Sequence, residues 1–298
     1  MNELPLEELI RRSEILVEAL PFIQKFSGTI VTIKIGGNAL VNEATRSNIA
    51  KDIVLMRLVG IRPVVVHGGG PEISAVMKRM GIEPKFHEGL RVTDAETRDV
   101  AEMVLAGKMN GDLVNLINHN GGNAVGLSGK DGGLIKARKL EHPETAEGKA
   151  MDLGFVGEVV EVRANVIEAL EKSDFIPVIS PIGVDENGET YNINADAAAG
   201  DIACALKARK LIIITDVRGI MRDMKDESTL ISTLPEHEID KLIADRIIAG
   251  GMIPKVKACL KALKSGVEKT HILDGRINHC LLLELLTQKG IGTQIVHS

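Results

Sequence analysis

Four short runs in this chain are apolar almost throughout: residues 29–35, 63–67, 176–180 and 211–215. A strand with one face in water alternates polar and apolar residues, and these do not, so both of their faces must be covered. Between and around them lie segments with helical spacing, at residues 95–109, 111–120, 166–171, 197–208, 235–244, 256–263 and 280–286, with another helix opening at Pro71. Doubly buried strands alternating with helices specify an α/β fold, a mainly parallel open sheet with helices on both faces. Further strands are expected at 124–127, 269–273 and 292–296. Residues 133–162 read as a β-ribbon with glycines 133, 148, 154 and 157 at its turns. A boundary between two lobes would fall in the Pro/Gly/Asn-rich stretch 181–195.

Residues 6–26 predict an additional amphipathic helix ahead of this domain. Leu9, Leu16, Leu20 and Ile23 share a face, and Pro21 should kink it by removing a backbone donor. Its apolar stripe must be buried either on its own domain or on another subunit.

Composition narrows the function. Thirty-six basic against 41 acidic residues give a net charge of −5, which argues against a nucleic-acid partner. With five Phe, one Tyr and no Trp, base-stacking platforms are poorly supplied. Cys204, Cys259 and Cys280 have no C-x-x-C spacing, so neither a disulfide framework nor a zinc knuckle is expected, and no metal site is predicted. No apolar run is long enough to span a membrane, and Glu3, Glu7, Glu8, Arg11 and Arg12 occupy the place of a signal peptide's apolar region. A cytoplasmic protein is the expectation.

The strand ends carry the chemistry. There is no P-loop, no G-x-G-x-x-G after a strand, no H-E-x-x-H and no G-x-S-x-G. Instead Lys34-Ile35-Gly36-Gly37 closes one apolar run and His67-Gly68-Gly69-Gly70-Pro71 closes the next and opens a helix. Glycines let backbone N–H groups approach an anion, and a helix N-terminus adds its dipole. Lys34 stands in an otherwise apolar strand, which is costly unless it meets an anion or lies on a solvated edge. Asp196 precedes an alanine run and could be a plain helix cap. Lys255, in Gly250-Gly251-Met252-Ile253-Pro254-Lys255, could be an ordinary solvated lysine. Together, two lysines, an aspartate and two glycine turns could stabilise a transferring phosphoryl group, a reaction that needs positioning and charge neutralisation above all.

With Gly89-Leu90-Arg91-Val92-Thr93 and Asn192-Ile193-Asn194-Ala195-Asp196 between them, these motifs occur in an order that resembles the amino acid kinase family over essentially the whole chain. The resemblance implies a three-layer αβα sandwich. It divides the chain into an N-terminal oligomerisation helix (1–26), an acyl-amino-acid lobe (27–190) and an ATP lobe with a regulatory C-terminal segment (191–298). It further implies phosphorylation of the γ-carboxylate of N-acetyl-L-glutamate by ATP and Mg2+, the second step of arginine biosynthesis. Lys34 would neutralise charge on the transferring phosphoryl, Lys255 would do so on the ADP side, and Asp196 would hold both. Gly36, Gly37, Gly69 and Gly70 would offer N–H groups to phosphate and substrate. Arg91 would clamp the substrate α-carboxylate, and Asn192 would hydrogen-bond the acylamino acid. Asp216, Gly219 and Met221 would contact nucleotide. Arginine-inhibited members carry a kinked N-terminal helix that interlaces dimers into a hexamer, so the resemblance implies an arginine-inhibited hexamer, a trimer of dimers; here His271, Glu284 and Gly290 would match the arginine site. Two alternatives remain at this point: a sister kinase acting on acetylaminoadipate or another acyl amino acid, and a non-catalytic ligand sensor of the same fold.

Overall fold

A computed structural model describes residues 5–87, 89–141 and 152–297. Eight strands form one sheet in the order Thr233–Pro235, Thr293–Val296, Lys269–Asp274, Lys210–Thr215, Ile30–Ile35, Arg62–His67, Ile176–Ser180 and Ala124–Ser128. All neighbours run parallel except Lys269–Asp274 against Thr293–Val296. Alternate residues feed two apolar cores. Ile33, Ile35 and Val65 pack with the helices Glu43–Leu58 and Asn110–His119 on one face. Val64, Val66 and Ile213 pack with the helices Ala195–Ala205 and Met252–Lys264 on the other. This is the expected αβα sandwich.

Several elements depart from the sequence reading. The helices expected at 95–109 and 111–120 are continuous: Ala95–Glu102 passes through a π-helical segment, Met103–Met109, into Asn110–His119. Residues 235–244 are not one helix. Thr233–Pro235 is an edge strand, where a proline's missing N–H is tolerated, and only Ile239–Ala244 is α-helical. The ribbon is present as Ile135–Lys139 antiparallel to Val156–Val162, but Ile182–Val184 and Thr190–Ile193 close it into a small barrel. Gly133 and Gly154 turn with positive φ, as expected. Gly157 lies within a strand, where a Cβ would come 2.5 Å from Tyr191 Cβ, and Gly148 lies outside the described residues.

The N-terminal segment forms two helices, Leu6–Glu18 and Leu20–Phe26, broken at Ala19. The carbonyl of Val17, which Pro21 cannot serve, accepts from the Ala19 N–H instead. Phe26 is buried in the domain, but no residue of Leu6–Glu18 is; Leu16 is 74% exposed. In this structure the apolar stripe of Leu6–Glu18 does not pack on its own domain.

Candidate functional site

The Ile30–Ile35 strand lies in mid-sheet, flanked by Lys210–Thr215 and Arg62–His67, so the solvated-edge reading of Lys34 fails. Strand alternation turns Lys34 away from Ile33 and Ile35, toward the face covered by the helix Ala195–Ala205. There it is 5% exposed. The cap of that helix is Asn194, whose Oδ1 accepts from the N–H groups of Asp196 (2.9 Å) and Ala197 (3.2 Å). Asp196 is therefore not the cap, and its carboxylate is free for other work. One oxygen is 2.8 Å from Lys34 Nζ; the other accepts from Lys255 Nζ at 2.9 Å. Lys255 comes from the first turn of Met252–Lys264, held close because a Cβ on Gly200 would lie only 3.2 Å from the Ala258 carbonyl.

Burial alone would raise the Asp196 pKa, but the Lys34 and Lys255 ammoniums outweigh it and hold the carboxyl below its ordinary value. Burial pushes the Lys34 ammonium below its usual range; Asp196 opposes this and Lys255 reinforces it. Within the cluster two ammoniums share one carboxylate at a site nearly closed to water. Asp216, which lines the adjoining cleft, is the further counter-charge that both lysines feel.

A cleft of about 690 Å3 opens directly on this cluster, at the C-terminal ends of the central strands, and is lined by Lys34, Asp196 and Lys255. Gly37 and Gly70 begin the helices Gly37–Val41 and Gly70–Arg79, where an N–H has no partner within its own helix. The two glycine turns touch backbone to backbone: a Cβ on Gly37 would lie 2.7 Å from Pro71 Cδ and 3.2 Å from Gly70 N. Gly36 lines the cleft, but its N–H donates to the Ile214 carbonyl at 3.0 Å, so it cannot also serve a phosphate as expected.

The structure brings every other expected substrate and nucleotide residue to the same cleft: Gly69, Arg91, Asn192, Asp216, Gly219 and Met221. Arg91, 7% exposed, donates to the Gly70 carbonyl and Ser74 Oγ, both at 2.8 Å, and stacks on Phe86. These partners fix the guanidinium without neutralising it. Asp216 accepts from Asn38 Nδ2 at 2.8 Å; burial raises its pKa, yet the Asn38 hydrogen bond, with help from Thr215, leaves it below the ordinary value. Asn38 was not foreseen: nothing local signals a partner 178 residues away.

His271, Glu284 and Gly290 form a second cluster outside this cleft. His271 Nδ1 is 2.7 Å from Glu284 Oε1, and Glu284 Oε2 accepts from the Ile291 N–H at 2.9 Å. Burial pushes the His271 pKa down. Burial raises the Glu284 pKa, but His271 and the Ile291 N–H leave it below its ordinary value. A Cβ on Gly290 would meet Glu284 Oε1 at 2.8 Å. Lys210 joins this cluster unforeseen, stacked on Phe26 and pushed down to about 8 by burial, against the pull of Glu284.

The main cleft offers paired lysines, glycine-turn donors and a buried guanidinium around a space of nucleotide size, with Asp196 already tied to both lysines. Such a site can bind anions and stabilise a transferring phosphoryl, while the attacking atom must come from the substrate. The fold and site define a phosphoryl-transfer class, and the chain belongs to the amino acid kinase family, whose model matches residues 29–274. Curated relatives named acetylglutamate kinase align nearly end to end. The Methanocaldococcus jannaschii protein is 55% identical over 97% of this chain and 97% of its own length. The Heliobacterium modesticaldum protein is 54% identical over 96% and 98%. Among solved structures, N-acetylglutamate synthase from Neisseria gonorrhoeae complexed with coenzyme A and N-acetyl-glutamate superposes with a TM-score of 0.83 at 27% identity. That match covers 96% of this chain, which spans only 63% of the synthase. Carbamate kinase from Giardia lamblia, at a TM-score of 0.63 and 18% identity, covering 91% of this chain and 99% of its own, shares the fold.

Proposed function

We propose that this chain transfers the γ-phosphoryl group of ATP to the γ-carboxylate of N-acetyl-L-glutamate, giving N-acetyl-L-glutamyl 5-phosphate and ADP, the second step of arginine biosynthesis. The observation that carries the reading is the Lys34–Asp196–Lys255 cluster, two ammoniums on one carboxylate, facing the cleft. The full-length similarity to acetylglutamate kinases supplies the substrate.

The substrate carboxylate is already ionised at neutral pH, so no general base is needed. Its oxygen attacks the γ-phosphorus as the bond to the ADP oxygen breaks. Lys34, next to the Gly37 and Gly70 turns, faces the transferring group. Lys255, on the nucleotide side, takes the charge gathering on ADP. Asp196 keeps the two ammoniums apart and aimed. Arg91 binds the α-carboxylate, a task for a planar two-pronged donor, and Asn192 the acylamino group. The reading gives 27–190 mainly to the acyl amino acid and 191–298 mainly to ATP, with Asn192, in the strand Thr190–Ile193 that spans this boundary, serving the acyl amino acid. Of the carboxylates lining the cleft among the described residues, Asp196 is taken by the lysines and Asp216 is oriented by Asn38. Mg2+ carried on the triphosphate fits there with at most one protein carboxylate, a common arrangement for this ion.

The same reading extends to regulation. His271, Glu284 and Gly290 would bind inhibitory L-arginine, Glu284 pairing with the guanidinium. The neighbour complexed with coenzyme A and L-arginine shares this fold at a TM-score of 0.79 and 26% identity. The unburied stripe of Leu6–Glu18 would interlace dimers into a hexamer. A cytoplasmic location suits the unpaired cysteines and the ATP requirement. ADP release with MgATP, with and without N-acetyl-L-glutamate, tests the reaction, and Lys34→Ala should lower turnover by orders of magnitude.

A further inference from the structure

His67 closes the Arg62–His67 strand, immediately before the glycine turn, and is completely buried. Its Nδ1 lies 3.1 Å from the Gly68 carbonyl, and its Nε2 lies 3.1 Å from Asn110 Nδ2. The same Asn110 Nδ2 donates to the Val178 carbonyl at 2.9 Å. An amide nitrogen can only donate, so both of its hydrogens are placed and His67 Nε2 must be the acceptor. The proton of the neutral ring therefore sits on Nδ1 and points at the Gly68 carbonyl.

That hydrogen bond has a consequence for the cleft. A peptide unit is planar and trans, so a carbonyl and the following N–H point in opposite directions. With the Gly68 carbonyl drawn to His67, the Gly69 N–H is turned away from the ring, and its nitrogen lies beside the facing Gly37. The Gly69 nitrogen lies 3.4 Å from where a Cβ on Gly37 would be. Gly37, Gly68, Gly69 and Lys34 all line the cleft.

Asn110 is held in place by the π-helical segment before it. Hydrogen bonds from i to i+5 widen the turn, so residue i+5 comes over residue i. Asn110 thereby joins the face that carries Leu105, whose Cδ2 lies 2.7 Å from where a Cβ on Gly69 would be. The segment supports the glycine turn twice, by contact at Gly69 and through Asn110 to His67.

We propose that His67, oriented by Asn110 across the Val178 carbonyl, is a positioning residue that aims the Gly69 N–H at the phosphoryl group in the cleft. The inference rests on the phosphoryl-transfer reading above. Burial keeps the ring neutral, with a pKa near 4, which preserves its acceptor nitrogen.

Two substitutions separate positioning from packing. His67→Asn places an amide nitrogen near the site of Nδ1 and can still donate to Gly68. His67→Gln reaches Asn110 and abandons Gly68. We expect His67→Gln to lower kcat by about 10–100-fold, the scale of a misplaced backbone donor, with little change in KM for N-acetyl-L-glutamate or in Tm. His67→Asn should keep kcat within about threefold of wild type. Wild-type kcat in His67→Gln, or equal losses in both variants tracking their Tm, would overturn the proposal. If wild type does not turn over N-acetyl-L-glutamate, the substrate reading has failed, and calorimetry with MgAMP-PNP and MgADP still decides this one. His67→Gln weakening AMP-PNP about tenfold while sparing ADP supports it; unchanged AMP-PNP affinity overturns it.

Discussion

Replacing Asp196 with Asn keeps shape and removes the charge between two lysines. At 2.8 and 2.9 Å, each ammonium–carboxylate contact carries about 6 kcal/mol of direct attraction at an effective dielectric of about 20, largely offset by desolvation. Without the carboxylate, Lys34 is left 5% exposed with no counter-ion in the cluster. Breaking one partner of a buried pair costs about 3–5 kcal/mol. For a chain of 298 residues that corresponds to a fall in Tm of about 5–8 °C. Lys34→Met should behave oppositely in stability. It leaves one carboxylate with one ammonium and replaces a desolvated charge with an apolar chain, so its Tm should match or exceed that of wild type. Both variants should lose at least about a hundredfold in turnover. Paired thermal melts and ADP-release assays read both quantities. A Lys34→Met protein that melts well below Asp196→Asn would refute the idea that the three-residue cluster itself carries surplus positive charge.

The remaining expectations concern pH, the glycine turns and regulation. His67 titrates near 4 in the folded chain against 6.5 ordinarily, because burial disfavours its charged form. The folded state thus binds fewer protons than the unfolded one, and the stability present above pH 6.5 is lost as pH falls toward 4, by up to about 3 kcal/mol. In urea melts the advantage of wild type over His67→Asn should shrink across that window; a constant difference would contradict the assignment. Gly37→Ala forces a Cβ to 2.7 Å from Pro71 Cδ, whereas Gly70→Ala meets nothing within 4 Å. Melts should show Gly37→Ala destabilised by about 1–3 kcal/mol and Gly70→Ala near wild type. Glu284→Gln should raise the arginine concentration for half-inhibition by at least about tenfold. Removing residues 1–26 should give dimers by analytical ultracentrifugation and weaken arginine inhibition, and a truncated hexamer would refute the interlacing role.

The sheet was legible because its strands are buried on both faces, which leaves an apolar run that no other element explains. Lys34 was legible as the charge that interrupts such a run. Asp196 could be read as a plain helix cap, and only the backbone shows that Asn194, not expected in that role, takes it and frees Asp196. The Gly36-Gly37 pair read as two donors, but sheet geometry commits the Gly36 N–H to Ile214. The expected break after Met109 is absent, because the π segment carries the helix through into Asn110–His119. Asn38, which orients Asp216 from far away in the chain, and Lys210, which completes the second cluster, had no local pattern to betray them. Their roles exist only once the strands are placed side by side.

The most direct test of the central claim is to incubate the full chain with MgATP and N-acetyl-L-glutamate, follow ADP, and trap the acyl phosphate as its hydroxamate. The account predicts ADP release that depends on N-acetyl-L-glutamate and matches hydroxamate one for one. ADP release without the acid, or no release with it from a folded protein that binds ATP, would contradict it.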